Sequence, residues 1–148
     1  MAGGNPNIYA YTKDVNAWID PFGLDCEVVN MDGHATVYDK NGKFAGHGWL
    51  DGDELNLLIN TSKSDLRGSE VFNSIFDYIN KEWDEIGSIR GTWRPGSLGD
   101  NFDSYMKTKN AFETFTGKMA KRKGFDKVTV NELKDGSGNI IGIDAFFK

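Results

Sequence analysis

The sequence contains one cysteine and no long apolar run, and each of these scarcities excludes a class of protein. A single cysteine, Cys26, cannot form an internal disulfide framework or a multi-cysteine zinc ribbon. Apolar runs such as Leu57-Leu58-Ile59 are far too short to span a bilayer, and the first residues lack the pattern of a signal peptide. With 148 residues, 39% of them hydrophobic, we expect a soluble domain with one core and no secretion signal of its own.

The net charge of −5 is distributed unevenly along the chain. Residues 105–128 hold seven basic and two acidic residues, whereas residues 25–104 hold seven basic and 15 acidic ones. Such asymmetry indicates one basic face, which is either a solvated helix surface or a local site for a phosphate-bearing ligand. The acidic remainder argues against non-specific binding to a nucleic-acid duplex, because charge neutralisation dominates affinity there.

From residue 33 onward, the spacing of apolar residues predicts strands and helices in a definite order. Three strands joined by Gly-containing turns come first, at residues 35–38, 44–50 and 54–61. An amphipathic helix follows, with Ser69 as its N-cap and Gly87 at its end. The remaining predicted elements are a strand at 88–93, a loop at 94–101, a helix at 112–123 and strands at 125–133 and 139–147.

This order, β-β-β-α-β-α-β-β, predicts an α+β (mixed α/β) fold. It contains six strands in a mainly antiparallel sheet and two main helices. The strand that follows the first helix requires a crossover connection, which predicts one parallel pair.

An aromatic pattern followed by a tight turn stands near the amino terminus. The pattern is Asn7-Ile8-Tyr9-Ala10-Tyr11, and the turn lies in Trp18-Ile19-Asp20-Pro21-Phe22-Gly23-Leu24. These residues resemble the end of the core of Rhs-repeat and wall-associated polymorphic toxins, in which YxY precedes DPxGL. The resemblance covers residues 5–24. It implies that residues 1–24 end a carrier shell and that residues 25–148 form the toxin domain.

The Rhs resemblance also implies how such a toxin is released and which partners it has. In many members the shell is an aspartyl autoprotease that cuts after the motif leucine, so Asp20 would be one catalytic carboxylate and Leu24-Asp25 the cut bond. The toxin would be a secreted effector delivered to a competitor's cytoplasm, where it attacks translation or another essential target. Its implied partners are the Rhs shell, an immunity protein and an RNA or protein target, and no membrane.

The predicted element order is similar to that of GNAT acyltransferases. Those enzymes also open with an antiparallel meander, followed by a helix, a strand, a helix and two strands. The resemblance implies acyl transfer from acyl-CoA, with Arg67, Gly68 and Ser69 in the loop that holds the cofactor pyrophosphate at a helix N-terminus. The family loop reads Q/R-x-x-G-x-G/A, and here Glu70 and Phe72 stand where glycines belong.

Other residues support competing chemistries. His34 and His47, on neighbouring predicted strands, have the side chains of an acid–base pair in a metal-independent ribonuclease, for example one that cuts tRNA. Trp93 and Arg94 follow a predicted parallel strand at its carboxyl end, a common place for ligands, and are suited to stack on and bind a base. An ADP-ribosyltransferase that uses NAD and a non-enzymatic binding toxin also remain open. No metal site is expected, because Cys26 and the two histidines lack a fourth ligand.

Overall fold

The computed structural model describes residues 18–19, 26–96 and 100–148, and its strands form one sheet in the order β1-β2-β3-β4-β5-β6-β8-β7. The strands are β1 (Trp18–Ile19), β2 (Cys26–Met31), β3 (His34–Asp39), β4 (Phe44–Asp51), β5 (Glu54–Ile59), β6 (Ser88–Trp93), β7 (Val128–Lys134) and β8 (Ile140–Phe147). The helices are α1 (Gly68–Glu82), α2 (Asn101–Thr108) and α3 (Phe115–Arg122), with a 3₁₀ turn at Ala111–Glu113.

The α+β class and the mainly antiparallel sheet agree with the sequence-based prediction, and so does the parallel crossover. Residues 54–56 of β5 pair in parallel with residues 88–90 of β6, and α1 forms the connection. The prediction of six strands was wrong, because the described sheet has eight. The strand β2 pairs along its whole length with β3, and the short β1 then pairs with β2.

The prediction of two main helices was also wrong. An additional helix, α2, begins at Asn101, directly after the Gly/Pro-rich segment whose composition had predicted only a loop. The helix predicted at 112–123 is divided in two, because Thr114 has an extended backbone with ψ of 163°. Its hydroxyl accepts a hydrogen bond from the Gly117 N–H at 2.9 Å, which makes Thr114 the N-cap of α3.

The helices lie on one face of the sheet, which we call the helical face. The fully buried side chains of α1 include Val71, Ile75 and Ile79, and they pack on β2 to β5. Further along the sheet, ring contacts join Trp93 to Tyr105 of α2 and Phe147 to Phe112 of the 3₁₀ turn. Because side chains alternate along strands, the residues between these core positions point to the opposite face, which we call the open face.

Two glycines in β4 allow α1 to approach the sheet closely. A Cβ added at Gly46 would lie 2.9 Å from Val71 Cγ1, and one added at Gly48 would lie 2.5 Å from Ile75 Cγ2. Val71 and Ile75 are one helical turn apart, so α1 rests directly on the backbone of β4. At Gly46 and Gly48, therefore, no β4 side chain separates the helix from the sheet.

The replacement Gly48→Ala should lower the free energy of unfolding by about 1–3 kcal/mol, because the added methyl group overlaps Ile75 in a closely packed core. Gly136→Ala is the matched control, since nothing lies within 4 Å of a Cβ built there. Urea unfolding of both variants measures the difference. Equal midpoints for the two variants would show that α1 does not rest on β4 as described.

Candidate functional site

The parallel strands β5 and β6 separate after three residue pairs and leave a cleft in the sheet. The last register pair is Asn56 with Arg90, although both strands continue for three more residues. The cleft has a volume of about 580 Å³, which falls within the range of small-molecule sites. Its walls include residues 57–59 of β5 and 91–93 of β6, and α1, α2 and α3 contribute Gly68, Asn101 and Phe115.

One wall of the cleft presents main-chain polar groups. The Asn60 N–H donates to Ala45 O at 2.9 Å, toward β4. Main-chain groups alternate in direction along a strand, so those of Leu57 and Ile59 point away from β4 and into the cleft. This wall can therefore hydrogen-bond an extended ligand that carries amide groups, as a strand edge does.

The N-terminus of α1, where the sequence predicted a phosphate-binding loop, lies at the cleft. Gly68 lines the cleft, and a Cβ there would meet the Phe115 ring at 3.2 Å. The adjacent Ser69 is half-buried, while the Arg67 side chain is 86% exposed. The helix begins at Gly68 with Arg67 as N-cap, so the prediction of Ser69 as N-cap was wrong.

A carboxylate already stands at this helix N-terminus. Glu70 Oε1 accepts a hydrogen bond from the Arg67 N–H at 2.8 Å and lies 3.9 Å from Arg67 Nε. This contact caps the helix two residues before the predicted start. The Glu70 charge also opposes the binding of a second anion at the same place, since both would use the same positive end of the helix.

Asp39 fixes the loop that leads into α1. Its Oδ1 accepts hydrogen bonds from the N–H groups of Asn41 and Lys43, both at 2.9 Å, and its Oδ2 accepts one from Asp65 at 3.3 Å. These donors, the Lys43 N–H above all, lower the pKa of Asp39 below its usual value. The carboxylate thus joins the β3–β4 turn to the residues before the helix N-terminus.

His34 and His47 are in direct contact on the open face, as their places on neighbouring strands suggested. Their Nδ1 atoms are 2.8 Å apart, so one ring donates a hydrogen bond to the other. The Trp49 ring stacks on His34 at 5.0 Å and lies 5.3 Å from the His47 ring. Across the strand pair, His47 lies opposite Leu58, which lines the cleft.

The surroundings of His47 disfavour its protonation. Burial and the neighbouring His34 both lower the pKa of His47 below the ordinary value of 6.5. When His47 Nδ1 carries the hydrogen and donates to His34, its Nε2 has an available lone pair. In that tautomer His47 is a base at neutral pH, and His34 fixes the direction of its ring.

Trp93 and Arg94 are anchored in the structure in different ways. The Trp93 side chain is 5% exposed, points to the helical face and packs on Tyr105 and Phe147, while part of it lines the cleft. Arg94 points to the open face, where its Nη1 donates to Trp93 O at 2.9 Å and lies 3.7 Å from an Asp144 oxygen. Trp93 is therefore a core residue that also shapes the cleft.

The structure brings several of the predicted residues together around the cleft and adds others. Gly68 and Trp93 line it, and His47 lies one strand away. Sequence reasoning missed Arg90, which also lines the cleft, and Asp144, which pairs with it at 3.7 Å. The available signal was the two-residue spacing of Arg90, Thr92 and Arg94, which places all three on one face of a strand.

Some predictions concern residues outside the described ranges. Asp20 and the Leu24-Asp25 bond are among these, so the autocleavage role stays a prediction. Within residues 18–19, 26–96 and 100–148, no group of three or more His, Cys, Asp or Glu side chains is arranged to hold a metal ion. In the same residues, no helix combines the length and apolarity needed to cross a membrane.

Comparison with known protein families finds no family model that matches the chain. Comparison with curated proteins likewise gives no match.

The lowered pKa of His47 predicts a pH dependence of stability. The unfolded chain binds a proton at His47 more readily than the folded chain, so the free energy of unfolding should fall as the pH drops through about 6.5. Urea unfolding between about pH 7 and pH 5 should show this loss, and His47→Gln should reduce it. If the variant loses stability as steeply as the parent, His47 is not the group that resists protonation.

Proposed function

We propose that this chain is an acyltransferase toxin that takes an acyl group from acyl-CoA. The observation that carries the proposal is the cleft between β5 and β6, which has a strand edge on one wall and the N-terminus of α1 at one end. A strand edge suits the amide-bearing arm of coenzyme A, and a helix N-terminus suits its pyrophosphate.

The residues around the cleft fit this cofactor. Gly68 leaves the start of α1 without a Cβ next to Phe115, so backbone N–H groups can approach a phosphate closely. Arg67 adds a solvent-exposed cation beside them, and guanidinium binds phosphate through two parallel hydrogen bonds. When bound, the cofactor supplies an activated acyl thioester.

In the proposed reaction His47 is the general base. Its Nε2 accepts the proton of the attacking amine or hydroxyl group, since burial keeps the imidazole neutral beforehand. As His47 becomes charged, its Nδ1–H donates more strongly to His34 Nδ1 across the 2.8 Å contact. His34 thus fixes the orientation of the base through the Nδ1 contact, while Trp49 covers one side of the pair.

The element order gives independent support. From β3 onward the chain runs through a meander, α1, β6, further helices and the final strands β7 and β8. Apart from the additional helix, this is the element order on which the resemblance to GNAT acyltransferases is based. The additional α2 and the residues Glu70 and Phe72 are departures from that pattern. The departure at Glu70 has a measurable consequence, because its charge lies where the pyrophosphate is proposed to bind.

The setting proposed for this activity is delivery into a competing bacterium. The support is the resemblance of residues 5–24 to the Rhs border, with an immunity protein as the protective partner in the producing cell. In this proposal residues 25–148 act on an RNA or protein target in the recipient's cytoplasm after release at Leu24-Asp25.

A ribonuclease is the second candidate, and the histidine pair is the observation that favours it. The Nδ1 atoms of both rings are engaged with each other, which leaves only the two Nε2 atoms for acid–base work. The basic side chains Lys118, Lys121 and Arg122 surround a pocket on α3, which packs on the helical face, whereas the histidines lie on the open face. A phosphate bound at these cations would therefore be distant from the bases, which favours acyl transfer.

Calorimetric titration with acetyl-CoA tests the cofactor site. Arg67→Ala should weaken binding and Glu70→Gln should strengthen it, each by about two- to five-fold, because each removes one charge near the helix N-terminus. Glu70→Gln keeps an oxygen that can accept the Arg67 N–H, so the helix cap is preserved. Arg122→Ala is the control for loss of a cation elsewhere. If the parent chain gives no heat of binding, the cofactor proposal is wrong.

Expression in a susceptible bacterium tests the toxin proposal. The parent chain should stop growth, and His47→Gln should restore it while the protein stays soluble and folded, because removing a catalytic base lowers the rate without removing the fold. Lys63→Gln, an exposed change away from the pair, should remain toxic. A folded His47→Gln variant with full toxicity would instead support a toxin that acts by binding alone.

A further inference from the structure

A cluster of charged side chains lies on the open face, on the β6 side of the cleft. Asp144 Oδ2 is 3.7 Å from Arg90 Nη2, and Asp144 Oδ1 is 3.7 Å from Arg94 Nη1. The three side chains share one face because Thr92, which lies between Arg90 and Arg94 in the chain, pairs with Asp144 on β8. The Arg90 guanidinium also lies over the Phe146 ring, 5.2 Å from its centre.

The hydrogen-bonding capacity of this cluster is incompletely used. Arg90 Nε and Asp144 Oδ1 are buried atoms that have no hydrogen-bond partner among the described residues. The ion-pair distances of 3.7 Å are also too long for hydrogen bonds. Arg94 differs, because it donates to the carbonyl of Trp93 at 2.9 Å. Buried donors normally have hydrogen-bond partners. The described residues therefore leave part of the hydrogen-bonding capacity of Arg90 unused.

The charge of the cluster indicates what that partner is. Two guanidinium groups face one carboxylate, so the cluster carries a net charge of +1. A second anion would balance it. Guanidinium presents a planar set of donors that matches the oxygens of a carboxylate or a phosphate. Arg90 also lines the cleft, whereas Arg94 is not among its lining residues.

The position of Arg90 relates this cluster to the histidine pair. Arg90 lies beside Asn56 of β5, and Asn56 pairs with Trp49 of β4, the ring that stacks on His34. His47 and Arg90 therefore stand on opposite sides of the cleft on the open face. Two strand spacings separate β4 from β6, and His47 lies two residues along β4 from the position level with Arg90, which gives a backbone distance of about 12 Å. A ligand of modest size can reach both.

We propose that Arg90 binds an anionic group, a carboxylate or a phosphate, of the second substrate, whose nucleophilic atom faces His47. The identity of that substrate as an acyl acceptor rests on the proposed function. Asp144 and Phe146 hold the guanidinium in place, and the part of the Arg90 side chain that remains exposed at the cleft presents its terminal N–H groups to the anion.

Titration followed by NMR of the arginine Nε–H signals tests this directly. Sodium acetate and inorganic phosphate are the two probes, and sodium chloride at equal ionic strength is the reference. The spectrum of Arg90→Lys identifies the Arg90 signal, and its amide spectrum confirms that the variant is folded. The signal of the exposed Arg122 is the internal control.

The Arg90 signal should shift and saturate with at least one probe, while the Arg122 signal changes little. The probe that binds more tightly identifies the anionic group. Absence of a saturable shift with both probes, or equal shifts of all arginines, would overturn the proposal. So would displacement of bound phosphate by added CoA, because Arg90 would then belong to the cofactor site. If phosphate binds at Arg90 and CoA does not bind at all, the anion site stands and the acyltransferase proposal fails.

Discussion

Two neighbouring parallel strands, β5 and β6, pair over only three residues, and the cleft exists because they separate after that point. Their separation exposes a strand edge and opens a cavity inside the sheet. The same connection that makes them parallel contains α1, so the N-terminus of the helix returns to the end of β5. Lining residues from both faces meet in the cleft: Trp93 from the helical face and Arg90 from the open face.

Much of this architecture could be predicted from local patterns. The apolar stripe of α1, the Asn-Gly turn after β3 and the position of β6 after a helix are short-range signals. They were sufficient to place a parallel crossover and to bring His34 and His47 onto neighbouring strands. The position of Arg67, Gly68 and Ser69 between a central strand and the start of a helix followed from the same reasoning, whereas the cleft beside Gly68 was not predicted.

The remainder depends on contacts between residues distant in sequence, which no local pattern reveals. The divergence of β5 and β6 is a property of the packed sheet and helices. Arg90 and Asp144 meet only because β8 inserts between β6 and β7. Likewise, α2 follows residues whose composition indicates a loop, and Thr114 divides a helical pattern through one extended backbone position. Register and packing, rather than composition, decide these features.

The glycines of β4 have a mechanical consequence for the cleft. Ile75 rests on Gly48 about 10 Å along α1 from Gly68, since seven residues of helix separate them. The helix α1 therefore rests on the bare backbone of β4 at Gly48, and its N-terminus forms part of the cleft. A side chain at position 48 would displace Ile75 and, with it, the N-terminus of α1 at the cleft. The packing of α1 on β4 and the shape of the cleft therefore cannot change independently. Both faces of β4 are therefore constrained: the helical face by the approach of α1 at Gly46 and Gly48, and the open face by the contact between His47 and His34.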